Sequence, residues 1–173
     1  IDFHVASGTA GVVAVGTTGE SPTVDFDEHC LLIKAAVQHA RGRIPVVAGT
    51  GANSTTEAIE LTVYAKDAGA QSCLSVVPYY NKPTPEGYYR HFAKVADALA
   101  IPVVVYNVPG RTGGNIDATT QLRLAAHGNV KAVKEASGNL AQVMEILHGR
   151  PSGFEVLSGD DAFKLHDTFG FPL

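Results

Sequence analysis

Lys134 lies in Val130-Lys131-Ala132-Val133-Lys134-Glu135-Ala136-Ser137, an apolar run of strand character with an amine planted in it. Strand alternation would put Val130, Ala132, Lys134 and Ala136 on one face, so the ammonium would share a side with small and branched apolar groups. Withdrawing a lysine from water disfavours its charged form and frees the neutral amine as a nucleophile. Such an amine forms a Schiff base with a carbonyl substrate. A strand lysine with its head in solvent is the ordinary alternative, so the rest of the chain must decide.

Other segments carry groups that such chemistry could use. Gly16-Thr17-Thr18-Gly19-Glu20-Ser21 is a tight polar turn leaving an apolar strand. Its glycines let backbone N–H groups approach an anion and its hydroxyls add donors, although a plain strand-to-helix loop reads the same way. Pro78-Tyr79-Tyr80-Asn81-Lys82-Pro83 sets two phenols on a proline-bounded loop, where both cannot easily face one core. Tyr106-Asn107-Val108-Pro109-Gly110-Arg111-Thr112-Gly113 offers a phenol for proton transfer and, five residues on, a guanidinium able to clamp a carboxylate. A surface arginine in a weak ion pair is the plain reading of that last residue. Neither a Walker loop nor a dinucleotide fingerprint is present. The seven histidines fall on expected helices rather than strand ends, and neither His-x-x-x-His nor Cys-x-x-Cys occurs. No metal and no cofactor is therefore expected, and any carbon–carbon bond chemistry points to an amine.

The elements that must position these groups follow from periodicity. Apolar, β-branched runs recur at 11–16, 44–50, 72–78, 101–108, 130–137 and 154–159, with helical segments in every gap. Ser54-Thr55-Thr56-Glu57 is a capping box closed by Gly69, and Thr84-Pro85-Glu86 opens a helix carrying Tyr88, Phe92, Val95, Ala96 and Leu99. Asp117, Asn139 and Asp160 begin three more. Six βα units with near-continuous apolar strands predict a parallel sheet covered by helices. Reactive residues follow nearly every strand, which an open sheet would not bring together; a closed ring would, with its site at the C-terminal mouth. The expectation is an α/β fold, a (β/α)8 barrel with about six units present, in one domain over residues 1–173.

At 45% hydrophobic and 17% charged residues, the 173-residue chain has the composition of an ordinary globular domain. A net charge of −4 without a basic run argues against nucleic acid and anionic membrane as partners. No apolar stretch is long enough for a membrane span. Cys30 and Cys73 sit among apolar neighbours and read as buried free thiols, which suits a reducing cytoplasm. The chain has no initiator methionine and opens inside an expected helix, so it reads as an excerpt.

Jointly these motifs resemble the dihydrodipicolinate synthase family, pyruvate-dependent class I aldolases. The resemblance rests on Gly16-Thr17-Thr18-Gly19-Glu20-Ser21, Pro78-Tyr79-Tyr80-Asn81, Tyr106-Asn107-Val108-Pro109-Gly110-Arg111-Thr112, Lys134-Glu135-Ala136-Ser137-Gly138 and Ser158-Gly159-Asp160-Asp161, in family order and spacing. It implies that Lys134 forms the Schiff base with pyruvate, that the derived enamine attacks L-aspartate 4-semialdehyde, and that the pathway leads to lysine and diaminopimelate. It further implies Tyr106 as acid/base, coupled through Thr17 to Tyr80, with Tyr80 reaching a neighbouring subunit's site in a homodimer or homotetramer. Thr18 and Gly159 would bind pyruvate, and Arg111 the carboxylate of the semialdehyde. Ser21, His29, Asn53, Glu57 and Tyr79 match positions used for an inhibitory lysine. The runner-up readings are a related pyruvate aldolase such as N-acetylneuraminate lyase, which Arg111 and Tyr80 disfavour, and a non-catalytic fragment. The family barrel has further strands and a C-terminal helical region. Alone, the chain would leave two sheet edges open and is expected to be inactive or poorly folded.

Overall fold

Polar caps set where the helices begin. The Asp25, Ser54, Asp117 and Asn139 side chains accept from the backbone N–H groups of Glu28, Glu57, Thr120 and Gln142, and Thr84 accepts from Gly87. Each satisfies a donor that the first turn leaves unpaired. The computed structural model describes residues 1–98 and 100–158. Within them the order is α1 (Asp2–Ala6), β1 (Val12–Ala14), α2 (Phe26–Ala40), β2 (Val46–Gly49), α3 (Thr55–Ala68), β3 (Ser72–Val76), α4 (Pro85–Ala98), β4 (Val103–Asn107), α5 (Pro109–Thr112), α6 (Ala118–Ala125), β5 (Val130–Glu135), α7 (Leu140–Gly149) and β6 (Glu155–Ser158). The helices expected from Ser54, Pro85, Asp117 and Asn139 are all present. Leu99, Gly159 and the helix expected from Asp160 lie outside the described residues.

All six strands form one parallel sheet in chain order, β1-β2-β3-β4-β5-β6. A parallel neighbour needs a crossover, and the intervening helices supply it. Val103 and Val105 of β4 and Val130 and Val133 of β5 are 2% exposed or less and pack outward against Phe92, Val95, Leu124 and Ile146. On the other face, Leu74, Tyr106 and Val108 pack with Val47, Val76, Val104 and Ala136.

One sequence expectation needs correcting. Val130 does not share a face with Lys134. Val103 pairs with Val130 but Val104 pairs with Ala132, so Lys131 is an extra residue on β5, a β-bulge. Because the side-chain period is two, the inserted residue inverts the alternation. Val130 joins the outer core while Ala132, Lys134 and Ala136 turn inward.

The sheet is curled. In a flat sheet, β1 and β5 would lie about 19 Å apart, four strand spacings. Yet Val13 and Val15 from the β1 end line one cavity of about 150 Å³ with Tyr106 of β4 and Lys134 of β5. Among the described residues β1 and β6 each pair on one side only, so the curl is not closed. No helix among the described residues is long and apolar enough to cross a membrane.

Candidate active site

Lys134 and Tyr106 are adjacent because β4 and β5 hold them as Cα partners, both pointing inward. The Lys134 Nζ stands 4.4 Å from the centroid of the Tyr106 ring, within range of the ring's negative face. Lys134 is half-buried and Tyr106 is buried. Burial raises the Tyr106 phenol above its ordinary value, and the Arg111 guanidinium opposes part of that rise. At neutral pH the phenol therefore keeps its proton and can donate it. An amine beside a proton donor is what carbinolamine formation and dehydration need.

The threonines arrive from the other side of the curl. After β1 the chain turns through Val15 at φ 54° into a 3-10 turn, Thr17–Gly19. A positive φ on a β-branched residue costs about 1–3 kcal/mol. The turn is held where β2 ends, since a Cβ on Gly49 would collide with the Val15 carbonyl. Thr17 and Thr18 line the same cavity as Lys134 and Tyr106, together with Gly16, Gly19 and the apolar walls Val13, Val15 and Leu74. Four of the residues singled out in the sequence thus meet around one space large enough for a small acid.

Arg111 sits on α5, exposed, on a turn ended by Gly113 at φ 73°. It reaches Tyr106 electrostatically but does not line the cavity. Tyr80 is 89% exposed at φ 72°, and its backbone N–H donates to the Thr112 carbonyl at 3.3 Å. Within this chain, Tyr80 is not brought to the cavity of Tyr106 and Thr17. Gly159 lies outside the described residues.

A second, smaller cavity of about 60 Å³ opens between α2, α3 and the loop after β3. Ser21, His29, Glu57 and Tyr79 line it. The buried His29 ring shares a 2.7 Å hydrogen bond with the Gly49 carbonyl, and Asn53 donates to the Tyr79 carbonyl at 3.3 Å. Burial, then the Glu57 charge, raises the Tyr79 phenol. The paired tyrosines therefore part as their adjacency suggested, one to this cavity and one to solvent.

Sequence reading missed the apolar walls, because an ordinary strand valine carries no chemical signal. It also missed Asn107 and Glu135, which follow Tyr106 and Lys134 directly. Both are buried, on the outer face, and hydrogen-bonded to each other. A charged residue in an apolar strand was the available clue.

Comparison with known proteins bears on the family and the fold. The model of the dihydrodipicolinate synthetase family matches residues 1–168. Relatives named 4-hydroxy-tetrahydrodipicolinate synthase from Nitrosomonas europaea and Nitrosomonas eutropha are 61% and 60% identical over 165 residues, 95% of this chain and 56% of each relative. The dihydrodipicolinate synthase of Aquifex aeolicus matches with a TM-score of 0.92 at 48% identity, over 95% of this chain and 56% of that one. A pyruvate complex of the chloride-inhibited enzyme from Acinetobacter baumannii gives 0.89 at 48% identity, covering 92% and 55%. The lysine-bound enzyme of Cyanidioschyzon merolae gives 0.88 at 43% identity, covering 94% and 56%. The chain spans little more than half the length of these relatives, and its curled sheet is six strands of an incomplete (β/α)8 barrel. The strand order fits this fold and the family model matches nearly the whole sequence: the chain belongs to the dihydrodipicolinate synthetase family.

Proposed function

We propose that the full-length polypeptide carrying this chain is a 4-hydroxy-tetrahydrodipicolinate synthase, a Schiff-base lyase of the class I aldolase type. It condenses pyruvate with L-aspartate 4-semialdehyde. The Lys134 amine adds to the pyruvate ketone, Tyr106 supplies the proton with which water leaves, and an iminium remains. Loss of a methyl proton gives the enamine, whose carbon attacks the aldehyde. The substrate's own amine then displaces Lys134 and closes the ring. Thr17 relays protons to Tyr106, Thr18 and Gly159 hold the pyruvate carboxylate, and Arg111 receives the carboxylate of the semialdehyde.

The observation that carries the reading is the shared cavity of Lys134, Tyr106, Thr17 and Thr18 at the C-terminal ends of parallel strands. The names of the 60–61% identical relatives and the pyruvate-bound neighbour support it. The exposed Tyr80 completes the relay in a partner subunit's site, so a homodimer or homotetramer is the working unit and the isolated 173-residue chain is inactive. Lysine acts as an effector at Ser21, His29, Asn53, Glu57 and Tyr79, a reading supported by the second cavity and the lysine-bound neighbour. The buried free thiols Cys30 and Cys73 suit a cytoplasmic setting.

An assay of the full-length enzyme, offering L-aspartate 4-semialdehyde and N-acetylmannosamine in parallel with pyruvate, tests the assignment. Turnover of the semialdehyde alone is expected. Preference for the sugar would move the chain to the neuraminate lyases.

A further inference from the structure

Behind the Lys134–Tyr106 pair lies a buried carboxylate that only receives hydrogen bonds. Glu135 is 1% exposed. Its Oε1 accepts from Asn107 Nδ2 at 3.0 Å and from the Ser137 backbone N–H at 2.9 Å. Its Oε2 accepts from Asn107 Nδ2 at 3.0 Å, Gln121 Nε2 at 2.6 Å and Gln142 Nε2 at 3.0 Å. Among the described residues no cation pairs with it. Four donor groups converge, and none of these contacts asks the carboxyl to donate.

The cluster reaches each reactive element through its chain neighbour. Asn107 follows Tyr106, Glu135 follows Lys134, and the two are Cα partners across β4 and β5. Asn107 Nδ2 also donates to Asn115 Oδ1 at 2.8 Å, and its Oδ1 accepts from the Ile116 N–H at 3.2 Å. Those two bonds tie down the far end of the turn that carries Arg111. Gln121 on α6 and Gln142 on α7 both donate to the Ile116 carbonyl as well, at 2.9 and 3.1 Å.

Stability alone is a poor reason for such an arrangement. Burying a carboxylate without a cation is costly, and apolar side chains of similar volume commonly hold helices on a sheet as well or better. A directional cluster does what an apolar one cannot: it fixes register at one point. We propose that Glu135 is a positioning residue, whose carboxylate clamps the ends of β4 and β5 and the Arg111 turn so that Lys134, Tyr106 and Arg111 stand in working order. This rests on the Schiff-base reading above. Glu135 touches no substrate, and it acts through Asn107 and its own backbone.

Glu135→Gln tests it. The amide keeps the volume but leaves one accepting oxygen where there were two and turns N–H groups toward donors, so the clamp loosens while the outer core stays. In the full-length enzyme, borohydride trapping with pyruvate would be followed as a rate against pyruvate concentration and compared with Ile146→Val, a substitution in the same outer core at a side chain that makes no hydrogen bond to the cluster. The expected result for Glu135→Gln is an about tenfold slower limiting rate, with the half-saturating pyruvate concentration changed less than about twofold, because misplacement of the amine costs rate rather than affinity. Ile146→Val is expected to match the unaltered rate. If Glu135→Gln does not fold, Gln142→Met, which removes one donor, is expected to slow trapping about threefold. An unaltered rate in the folded variant, or an equal loss in Ile146→Val, overturns the proposal. No adduct in the unaltered enzyme overturns the Schiff-base reading and this inference together, so the two failures are told apart.

Discussion

The two faces of the β4–β5 ribbon have been put to opposite uses. On the outer face, where Val105, Val133, Leu124 and Ile146 join the core, Asn107 and Glu135 are buried and their polar atoms bonded. On the inner face, one residue earlier on each strand, Lys134 and Tyr106 face a cavity and touch through a ring contact. The backbone is shared, so the difference comes from alternation alone. A face closed by packing and directed hydrogen bonds can hold still a face left open for a ligand. The open face and the face that supports it thus lie one step apart along the chain.

Apart from the Glu135 cluster, substitutions on the two faces should dissociate, and this can be broken in order of effect. Lys134→Ala in the full-length enzyme removes the amine proposed to bond to the keto acid, so pyruvate trapping should vanish while the thermal midpoint barely moves. Tyr106→Phe removes the proposed proton donor but keeps the ring, and turnover should fall about 10²–10⁴-fold. Steady-state kinetics would check this; a loss under tenfold would demote the phenol to a wall of the cavity. Arg111→Ala should weaken turnover with the semialdehyde while sparing the pyruvate adduct, because the side chain lies outside the cavity. Equal loss of both would contradict its assignment.

The outer face should answer in the other currency. Leu124→Ala, at a site 1% exposed, should cost about 2–5 kcal/mol in denaturant unfolding and leave the adduct yield per folded molecule unchanged. The helix layer also carries a pH response. His91 is 5% exposed, shares a 2.8 Å bond with Thr55 through Nδ1 and has no partner at Nε2 among the described residues. Burial pushes its imidazole down to about 4 from 6.5. Between those values the unfolded chain binds the proton more readily than the folded one, so stability is full above about pH 6.5 and falls as pH drops toward 4. The loss approaches roughly 3 kcal/mol. His91→Leu should flatten this acid limb in unfolding measured against pH, and an unchanged limb would remove His91 as its source.

Much of this was legible from residue types. Ser54, Thr84, Asp117 and Asn139 announced their helices because a capping side chain acts within four residues. The strands were legible because a sheet covered by helices needs apolar runs. Thr17, Thr18, Tyr106 and Lys134 were found together because each lies near or just past the C-terminal end of a strand, and a curled sheet must gather such ends. The face of Val130 was not legible. A bulge at Lys131 depends on how β5 lies against β4, which no local pattern records. Nor was the Glu135 cluster, since its donors come from α6, α7 and β4 and meet only after packing. Tyr80 stands apart for a different reason: its proposed partner residues belong to another copy of the chain.

The central claim is most directly met by mass spectrometry. The full-length enzyme, reduced with borohydride in the presence of pyruvate and digested, should carry the added mass on the peptide that contains Lys134 and on no other lysine. A modified peptide that contains Lys82 or Lys131 instead, or a protein of unchanged mass, would contradict the account.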